Sequence, residues 1–279
     1  MQKNTKVLAM LMTMAAISVA SFSPPFGMIR AIAGPPTHVL NPQAKPATAQ
    51  TIQANKQVYA LLDFSDTQEV EFARKGLIDA PEILELKDEQ GKIVWSQGAY
   101  AFLAKDAPDT ANPSLWRNAQ LNHVYGLFEV KKGIYQVRGY DMSNLTLVAT
   151  NSGWIVFDPL MSVECTQAAM QLVKKNLGDR PVKAVIISHP HVDHFGGIKG
   201  LISENEVADA GLPLNEQIAS GKIPVIVPNK FTEHAIRENV YAGNAMARRA
   251  QYQYGTLSEK SETGALAIGI GMGHSLGTI

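Results

Sequence analysis

The stretch that decides the fold is His189-Pro-His-Val-Asp-His194, followed directly by Phe195-Gly-Gly197. Residues 182–188 before it read Val-Lys-Ala-Val-Ile-Ile-Ser, and their β-branched apolar side chains predict a buried strand. Three imidazoles and one carboxylate therefore lie where a strand ends in a loop, which is where α/β folds place their chemistry. Neutral imidazole and carboxylate are ligands of zinc, manganese and iron, so the stretch predicts a metal site.

The spacing inside this motif favours two adjacent metal ions. In an extended chain His189 and His191 point to the same side, and the next turn brings Asp193 and His194 to the same cavity from another angle. The alternative is a surface cluster of histidines without function. Three histidines in six residues, placed between a strand and Gly-Gly, favour the metal site.

The first residues have the pattern of a secretory signal. Lys3 and Lys6 precede a nearly apolar run at residues 7–22. Ala31-Ile-Ala33 is a small-x-small cleavage site, and Ser18-Val-Ala20 is an earlier candidate. The apolar run is shorter than the ~20 residues that a spanning helix needs, so we expect no stable membrane span. Residues 1–33 are therefore predicted to be the signal peptide of a periplasmic or secreted protein.

Charge and cysteine usage narrow the function classes. The whole chain has 25 basic and 25 acidic residues; without residues 1–33, which hold three basic and no acidic residues, it has 22 and 25, a net charge of −3. This balance gives no electrostatic reason to expect nucleic acid as a partner. Cys165 is the only cysteine, which excludes an internal disulfide.

The remaining chain divides into three predicted parts. Residues 34–50 are rich in Pro, Ala, Thr and Gln and predict a flexible linker. Residues 51–124 predict an N-terminal extension with two helices, a hairpin and a further short helix, at residues 53–62, 67–75, 85–95 and 112–117. Residues 125–279 predict a sheet domain that carries the metal motif.

The pattern of the sheet domain is that of an α/β fold. It predicts four meander strands, a helix and a further strand, at residues 127–130, 134–138, 145–150, 154–157, 164–177 and 182–187. After the motif it predicts a short helix, a loop, a strand and one long helix, at residues 196–201, 204–222, 223–227 and 231–254.

Several polar residues near the motif or on the long helix have two readings. Asp158 ends a strand, so it either contacts the metal site from outside or, as we favour, belongs to turn chemistry with Pro159. Glu233, His234 and Glu238 are either additional ligands or, as we favour, ordinary residues of a helix whose apolar side packs in the core.

These motifs together resemble the secreted bacterial alkyl sulfatases of the metallo-β-lactamase superfamily. The resemblance is carried by the H-x-H-x-D-H motif, by Asn112-Pro-Ser-Leu-Trp-Arg117 and Asp158-Pro-Leu160, and by residues 238–246. It implies an αββα sandwich, of which residues 125–279 are the N-terminal half, preceded by a helical extension. A chain that supplies mainly the first sheet should leave an apolar sheet face uncovered.

The resemblance implies zinc-dependent hydrolysis of alkyl sulfate esters, such as dodecyl sulfate, to alcohol and sulfate. His189 and His191 would hold one zinc ion, and Asp193 and His194 the second, with Asp193 also the catalytic residue that orients water. The family implies a dimer and a chain more than twice this length. We therefore expect this truncated, N-terminal part to have an incomplete site.

Two other functions stay open. Gly271-Met-Gly-His-Ser-Leu-Gly277 superficially resembles the Gly-His-Ser motif by which other hydrolases of the superfamily supply a metal histidine, so His274 would complete a compact hydrolase. The other alternative is a non-catalytic remnant that binds metal weakly.

Overall fold

The structure is a computed structural model that describes residues 44–279. The predicted signal peptide and the first part of the predicted linker lie outside the described residues. Residues 44–48 have no regular structure, and the first helix begins at Ala49. Within residues 44–279, no helix is long and apolar enough to cross a membrane.

The N-terminal extension contains the predicted helices and hairpin. Its elements are α1 (Ala49–Leu61), α2 (Gln68–Arg74), the antiparallel pair β2 (Glu85–Lys87) and β3 (Ile93–Ser96), a 3₁₀ turn (Gly98–Ala104) and α3 (Pro113–Asn122). The side chain of Asn112 caps α3 by accepting hydrogen bonds from the N–H groups of Ser114 and Leu115, while Pro113 occupies the first turn. Two elements were not predicted from the sequence: the 3₁₀ turn and the short strand β1 (Leu77–Asp79), which joins the main sheet.

A seven-stranded mixed sheet forms the centre of the described chain, in the order β1-β4-β5-β6-β7-β8-β9. The other strands are β4 (Gly126–Lys131), β5 (Ile134–Arg138), β6 (Leu145–Ala149), β7 (Trp154–Phe157), β8 (Val182–Ile186) and β9 (Val225–Ile226). Neighbouring strands are antiparallel from β1 to β7, and β8 is parallel to β7 because α4 (Val163–Leu177) connects them as a crossover. The predicted α/β class is confirmed.

One face of the sheet is covered by α4 and by the N-terminal extension. Its strand residues and their helix partners are almost completely buried: Leu145, Leu147, Trp154 and Val156 from the sheet, and Cys165, Ala169 and Val173 from α4. Burying a large apolar side chain stabilises the fold by about 1.5–3 kcal/mol. This face is therefore the main core.

The opposite face of the sheet carries a patch of half-buried apolar side chains. Strand alternation and the pairing register place on it Ile134, Val148, Ile155, Phe157 and Ile186. The expectation of an uncovered apolar face therefore holds for every second residue of these strands. Leu145, Leu147 and Val156, which alternate with them, point to the covered side and are buried.

The prediction of one long helix over residues 231–254 is wrong. The segment is divided into α6 (Phe231–Ile236), a π turn (Arg237–Tyr241) and α7 (Gly243–Tyr254). Because a π turn holds more residues than an α turn, it rotates the following helix and breaks the apolar stripe. Phe231 and Ala235 are buried as expected, whereas Tyr241 is 82% exposed and α7 buries no residue.

The region between the motif and this segment also differs from its prediction. Residues 204–222 are not one loop, because they contain a 3₁₀ turn (Glu204–Glu206) and α5 (Leu214–Ala219). The predicted short helix after the motif is present as a 3₁₀ turn (Gly196–Gly200).

Candidate metal centre

The motif lies at the carboxyl end of β8, as its sequence predicts. After the strand the chain bends at residues 189–190, and His191 is again extended. A 3₁₀ turn (Val192–His194) follows, in which the N–H of His194 donates to the carbonyl oxygen of His191. The side chain of Ser143 donates a hydrogen bond to the carbonyl oxygen of Asp193 and ties the turn to the segment before β6. The sheet therefore fixes where the motif side chains project.

The two glycines after the motif allow it to pack directly on the start of α4. A Cβ atom on Gly197 would overlap the side chain of Thr166 and the carbonyl oxygens of Pro159 and Ser162. The N–H of Gly197 donates to the carbonyl oxygen of Leu160, 3.0 Å away. Close backbone approach, rather than an unusual φ angle, is the reason for glycine here.

His189 and His191 form a close pair, as their spacing predicts. Nε2 of His189 lies 2.9 Å from Nδ1 of His191. The other nitrogen of His189 contacts Oγ of Ser188 at 2.8 Å, and the other nitrogen of His191 lies 3.0 Å from Oε1 of Glu238. Burial, and then the charges of His194 and His191, lower the pKa of His189 and favour its neutral form.

Asp193 and His194 form the second pair. Nε2 of His194 lies 3.1 Å from Oδ2 of Asp193, and Nδ1 lies 3.0 Å from Oδ2 of Asp158. Burial alone would lower the pKa of His194, but the carboxylates of Asp158 and Asp193 outweigh it and raise that pKa to about 9. Nδ1 is buried, and its contact with Asp158 is an ion pair without the alignment of a hydrogen bond.

Asp158 contacts the motif through His194 in addition to its place in the turn before Pro159. The favoured interpretation, a residue of the turn only, was therefore incomplete. Its carboxylate accepts hydrogen bonds from the N–H and the Oγ of Ser188, both at 2.8 Å. Burial opposes ionisation, but His194 and Ser188 lower the pKa of Asp158 below its ordinary value. Its φ of +53° is in the left-handed region, which costs about 1–3 kcal/mol for a residue with a side chain.

Glu238 contacts the motif, although the sequence favoured its interpretation as an ordinary residue of a helix. It projects from the π turn to His191, and no periodic pattern in the sequence indicates that turn. Glu233 instead pairs with Arg237 on the helix surface at 2.6 Å, in agreement with the ordinary helical reading.

The donor set fits a divalent metal in its chemistry. It combines imidazoles, a carboxylate and a buried nitrogen of His194 that lacks a well-aligned hydrogen bond. The donors meet as two pairs, and among residues 44–279 no group of three or more His, Cys, Asp or Glu side chains is arranged around one metal position. The assignment of His189, His191, Asp193 and His194 as ligands stays a prediction.

His274 belongs to a different environment. Its neighbour Ser275 donates hydrogen bonds from its N–H and Oγ to the buried carboxylate of Asp141, at 2.9 and 2.7 Å. Burial lowers the pKa of His274, and the charges that act on its ring are those of Asp141 and Lys260 rather than those of the motif. These contacts hold the C-terminal segment against the core and give no support to His274 as a ligand.

The chain is similar in sequence to known proteins. Residues 138–260 match the metallo-beta-lactamase superfamily. The chain is 44% identical over 238 residues to a linear primary-alkylsulfatase of Pseudomonas, an alignment that covers 85% of this chain and 34% of the relative. An (R)-specific secondary-alkylsulfatase of Pseudomonas is 46% identical over 215 residues, which cover 77% of this chain and 31% of the relative.

The chain also resembles a solved alkylsulfatase structure. The structure of a stereoselective inverting sec-alkylsulfatase from Pseudomonas superposes with a TM-score of 0.74 at 43% identity, covering 83% of this chain and 35% of that one. The chain thus spans about a third of the length of the relatives that it matches. The sequence resemblance to alkyl sulfatases is confirmed, and the partial coverage fits an N-terminal part.

Proposed function

We propose that this chain, a homologue of the alkylsulfatases with a match to the metallo-beta-lactamase superfamily, binds zinc at its motif and contributes that site to the hydrolysis of alkyl sulfate esters. The observation that carries the proposal is the pairing of His189 with His191 and of Asp193 with His194 at the carboxyl end of β8. Superfamily membership implies metal binding, and imidazole with carboxylate is a ligand set typical of zinc.

Each motif residue has a defined task in this proposal. His189 and His191 hold one metal position, and Asp193 and His194 hold the second. When bound, zinc supplies a Lewis acid and lowers the pKa of a nearby water. Asp193 orients the attacking water by accepting a hydrogen bond from it. The turn that carries Asp193 is held in place by the hydrogen bond from Ser143. The products are an alcohol and inorganic sulfate.

The substrate class is the part of the proposal that rests on the relatives. Two relatives are named for primary and secondary alkyl sulfates, and this chain is more than 40% identical to each over the aligned region. An alkyl sulfate of the dodecyl type is the substrate that we propose. Because the described donors meet in pairs, we expect little turnover from this chain by itself.

The test uses the full chain with cobalt(II) as a spectroscopic substitute for zinc. A visible absorption band that develops on cobalt addition, and that is lost in H189A, would support the metal site. Octyl sulfonate cannot be hydrolysed but has the proposed head group and tail, so it should change that band at concentrations that leave the far-ultraviolet circular dichroism intact. Octanol is the matched control without the anionic head.

Two outcomes would contradict the proposal. If the chain binds no metal, the motif is not a metal site. If octyl sulfonate leaves the cobalt absorption band unchanged, the proposed substrate class is wrong. Sulfate release from dodecyl sulfate should stay near the uncatalysed rate. Release that disappears in H191A would mean that the motif is sufficient for catalysis, and release that depends on His274 would favour the compact hydrolase.

We also propose that the protein acts in the periplasm or outside the cell. The support is the sequence of residues 1–33, with its basic start, apolar run and small-x-small site. Mass spectrometry of the protein from a secreting host should find an N-terminus near residue 34. An intact Met1 in that fraction would contradict this assignment.

A further inference from the structure

The contact between Glu238 and His191 joins the motif to a helical segment far along the chain. Oε1 of Glu238 lies 3.0 Å from Nε2 of His191, and the Glu238 side chain is 26% exposed. Glu238 lies on the π turn between α6 and α7, and α6 is anchored in the core by Phe231 and Ala235. π turns inside helices are frequent at functional sites, where they re-aim a side chain.

The protons of the His189 side can be assigned from the hydrogen bonds. The carboxylate of Asp158 can only accept, so Oγ of Ser188 must donate its single proton to it. Oγ of Ser188 then has only lone pairs to offer Nδ1 of His189, which lies 2.8 Å away. Nδ1 of His189 therefore carries the proton, and Nε2 of a neutral His189 has a free lone pair.

The same reasoning applies to His191. The carboxylate of Glu238 can only accept, so a proton on Nε2 of His191 satisfies this contact, and Nδ1 is the nitrogen of His191 that can offer a lone pair. The two free lone pairs, on Nε2 of His189 and Nδ1 of His191, face each other at 2.9 Å. Two such lone pairs repel unless a proton lies between them, as in a hydrogen bond. A metal ion that binds both nitrogens would replace that proton from a position to one side of the line that joins them.

We infer that Glu238 is a positioning residue: it holds the proton on Nε2 of His191 and thereby presents Nδ1, together with Nε2 of His189, to one metal ion. This inference rests on the proposed metal site. Histidine ligands commonly donate their other N–H to a carboxylate, which fixes the tautomer and raises the basicity of the ligand nitrogen. Ser188 has the corresponding role for His189, backed by Asp158.

The first experiment determines the tautomer without any metal. Long-range ¹H–¹⁵N spectra of the metal-free full chain, labelled with ¹⁵N-histidine, distinguish a proton on Nε2 from one on Nδ1. We expect Nε2 of His191 to be protonated in the wild type and a larger share of the Nδ1–H form in E238A. A wild-type His191 protonated on Nδ1 alone would overturn the inference. This result is independent of whether zinc binds.

The second experiment measures zinc affinity by competition with a chromophoric chelator. E238A should bind zinc about 10–100-fold more weakly. E238Q should retain most of the affinity, because its amide oxygen still accepts the Nε2 proton. The matched control is E233Q, which changes a glutamate on the same helical segment that contacts Arg237 instead. Equal affinities for wild type and E238A would overturn the inference.

The two experiments separate the failure modes. If the wild type binds no zinc, the proposed function fails, while the tautomer spectra still decide the role of Glu238. If E238A fails to fold, as judged by circular dichroism, the wild-type spectra and the affinity of E238Q remain decisive. A loss of affinity in E238Q equal to that in E238A, with both variants folded, would mean that the charge of Glu238 acts and not its hydrogen bond.

Discussion

Nδ1 of His194 lies 3.0 Å from Oδ2 of Asp158, so a residue at the end of β7 contacts the motif at the end of β8. The two strands are parallel neighbours, and their carboxyl ends meet at one edge of the sheet. Asp158 also accepts two hydrogen bonds from Ser188 at the other end of the motif. This one carboxylate therefore fixes both sides of the motif.

The ion pairs of His194 predict how the stability of the metal-free chain depends on pH. The folded-state pKa of His194, about 9, is above its ordinary value of 6.5, so its contribution is complete below pH 6.5 and is lost as the pH rises through 9. We expect the free energy of unfolding, measured by urea denaturation in EDTA, to fall by about 1–2 kcal/mol over this interval.

The control for this prediction is H194N, which cannot become cationic. Between pH 6.5 and 9, the free energy of unfolding of H194N should fall less steeply with pH than that of the wild type, because the contribution of His194 is absent. Parallel curves for the two proteins would show that His194 has an ordinary pKa in the folded chain.

The two donor pairs predict unequal metal binding. His189 and His191 present two imidazole nitrogens to one position, whereas the second position combines His194 with Asp193 while His194 is also engaged with Asp158. We expect elemental analysis after dialysis to find about one zinc per chain, and H189A to lose most of it. Two tightly held ions per chain would contradict this prediction.

Gly197 should be among the least tolerant positions near the motif. An added Cβ would overlap Thr166 and two carbonyl oxygens, so G197A should destabilise the chain by about 2–4 kcal/mol and weaken zinc binding. The matched control is G243A, because Gly243 begins α7 and has open space around it. Thermal unfolding should show G243A unchanged or slightly stabilised, since alanine favours helix over glycine. Similar melting temperatures for both variants would refute the packing argument.

The half-buried sheet face predicts self-association. Val148 and its neighbours Ile155 and Phe157 form an apolar surface, and such surfaces favour contact with another molecule. We expect size-exclusion chromatography of the full chain to give an apparent mass above that of a 30.2 kDa monomer, and V148T to reduce it. A wild-type chain that elutes as a monomer at high concentration would contradict this expectation.

The same substitution on the other face of the sheet is the control. Val156 is completely buried in the core, so V156T should cost about 1–3 kcal/mol of stability because it buries a hydroxyl, without reducing association in the fraction that stays folded. V148T should cost less, since its side chain is partly in contact with water.

The local patterns of the sequence determined the architecture around the motif. The β-branched run at residues 182–188 predicted β8, and the alternating segments before it predicted β5, β6 and β7 with ends within a residue or two. Such patterns succeed because the side-chain period of a strand is set by its own backbone. The motif itself predicted metal chemistry, since ligand preference depends on the residue types alone.

Tertiary structure decided which other residues meet the motif. Asp158, Ser143 and Glu238 contact it because β7, the segment before β6 and the π turn pack around the end of β8. None of these contacts follows from local periodicity, because each joins residues that are far apart in the sequence. The π turn also explains why the apolar spacing of residues 231–254 failed as a guide to burial: the direction of a helix face depends on every turn before it.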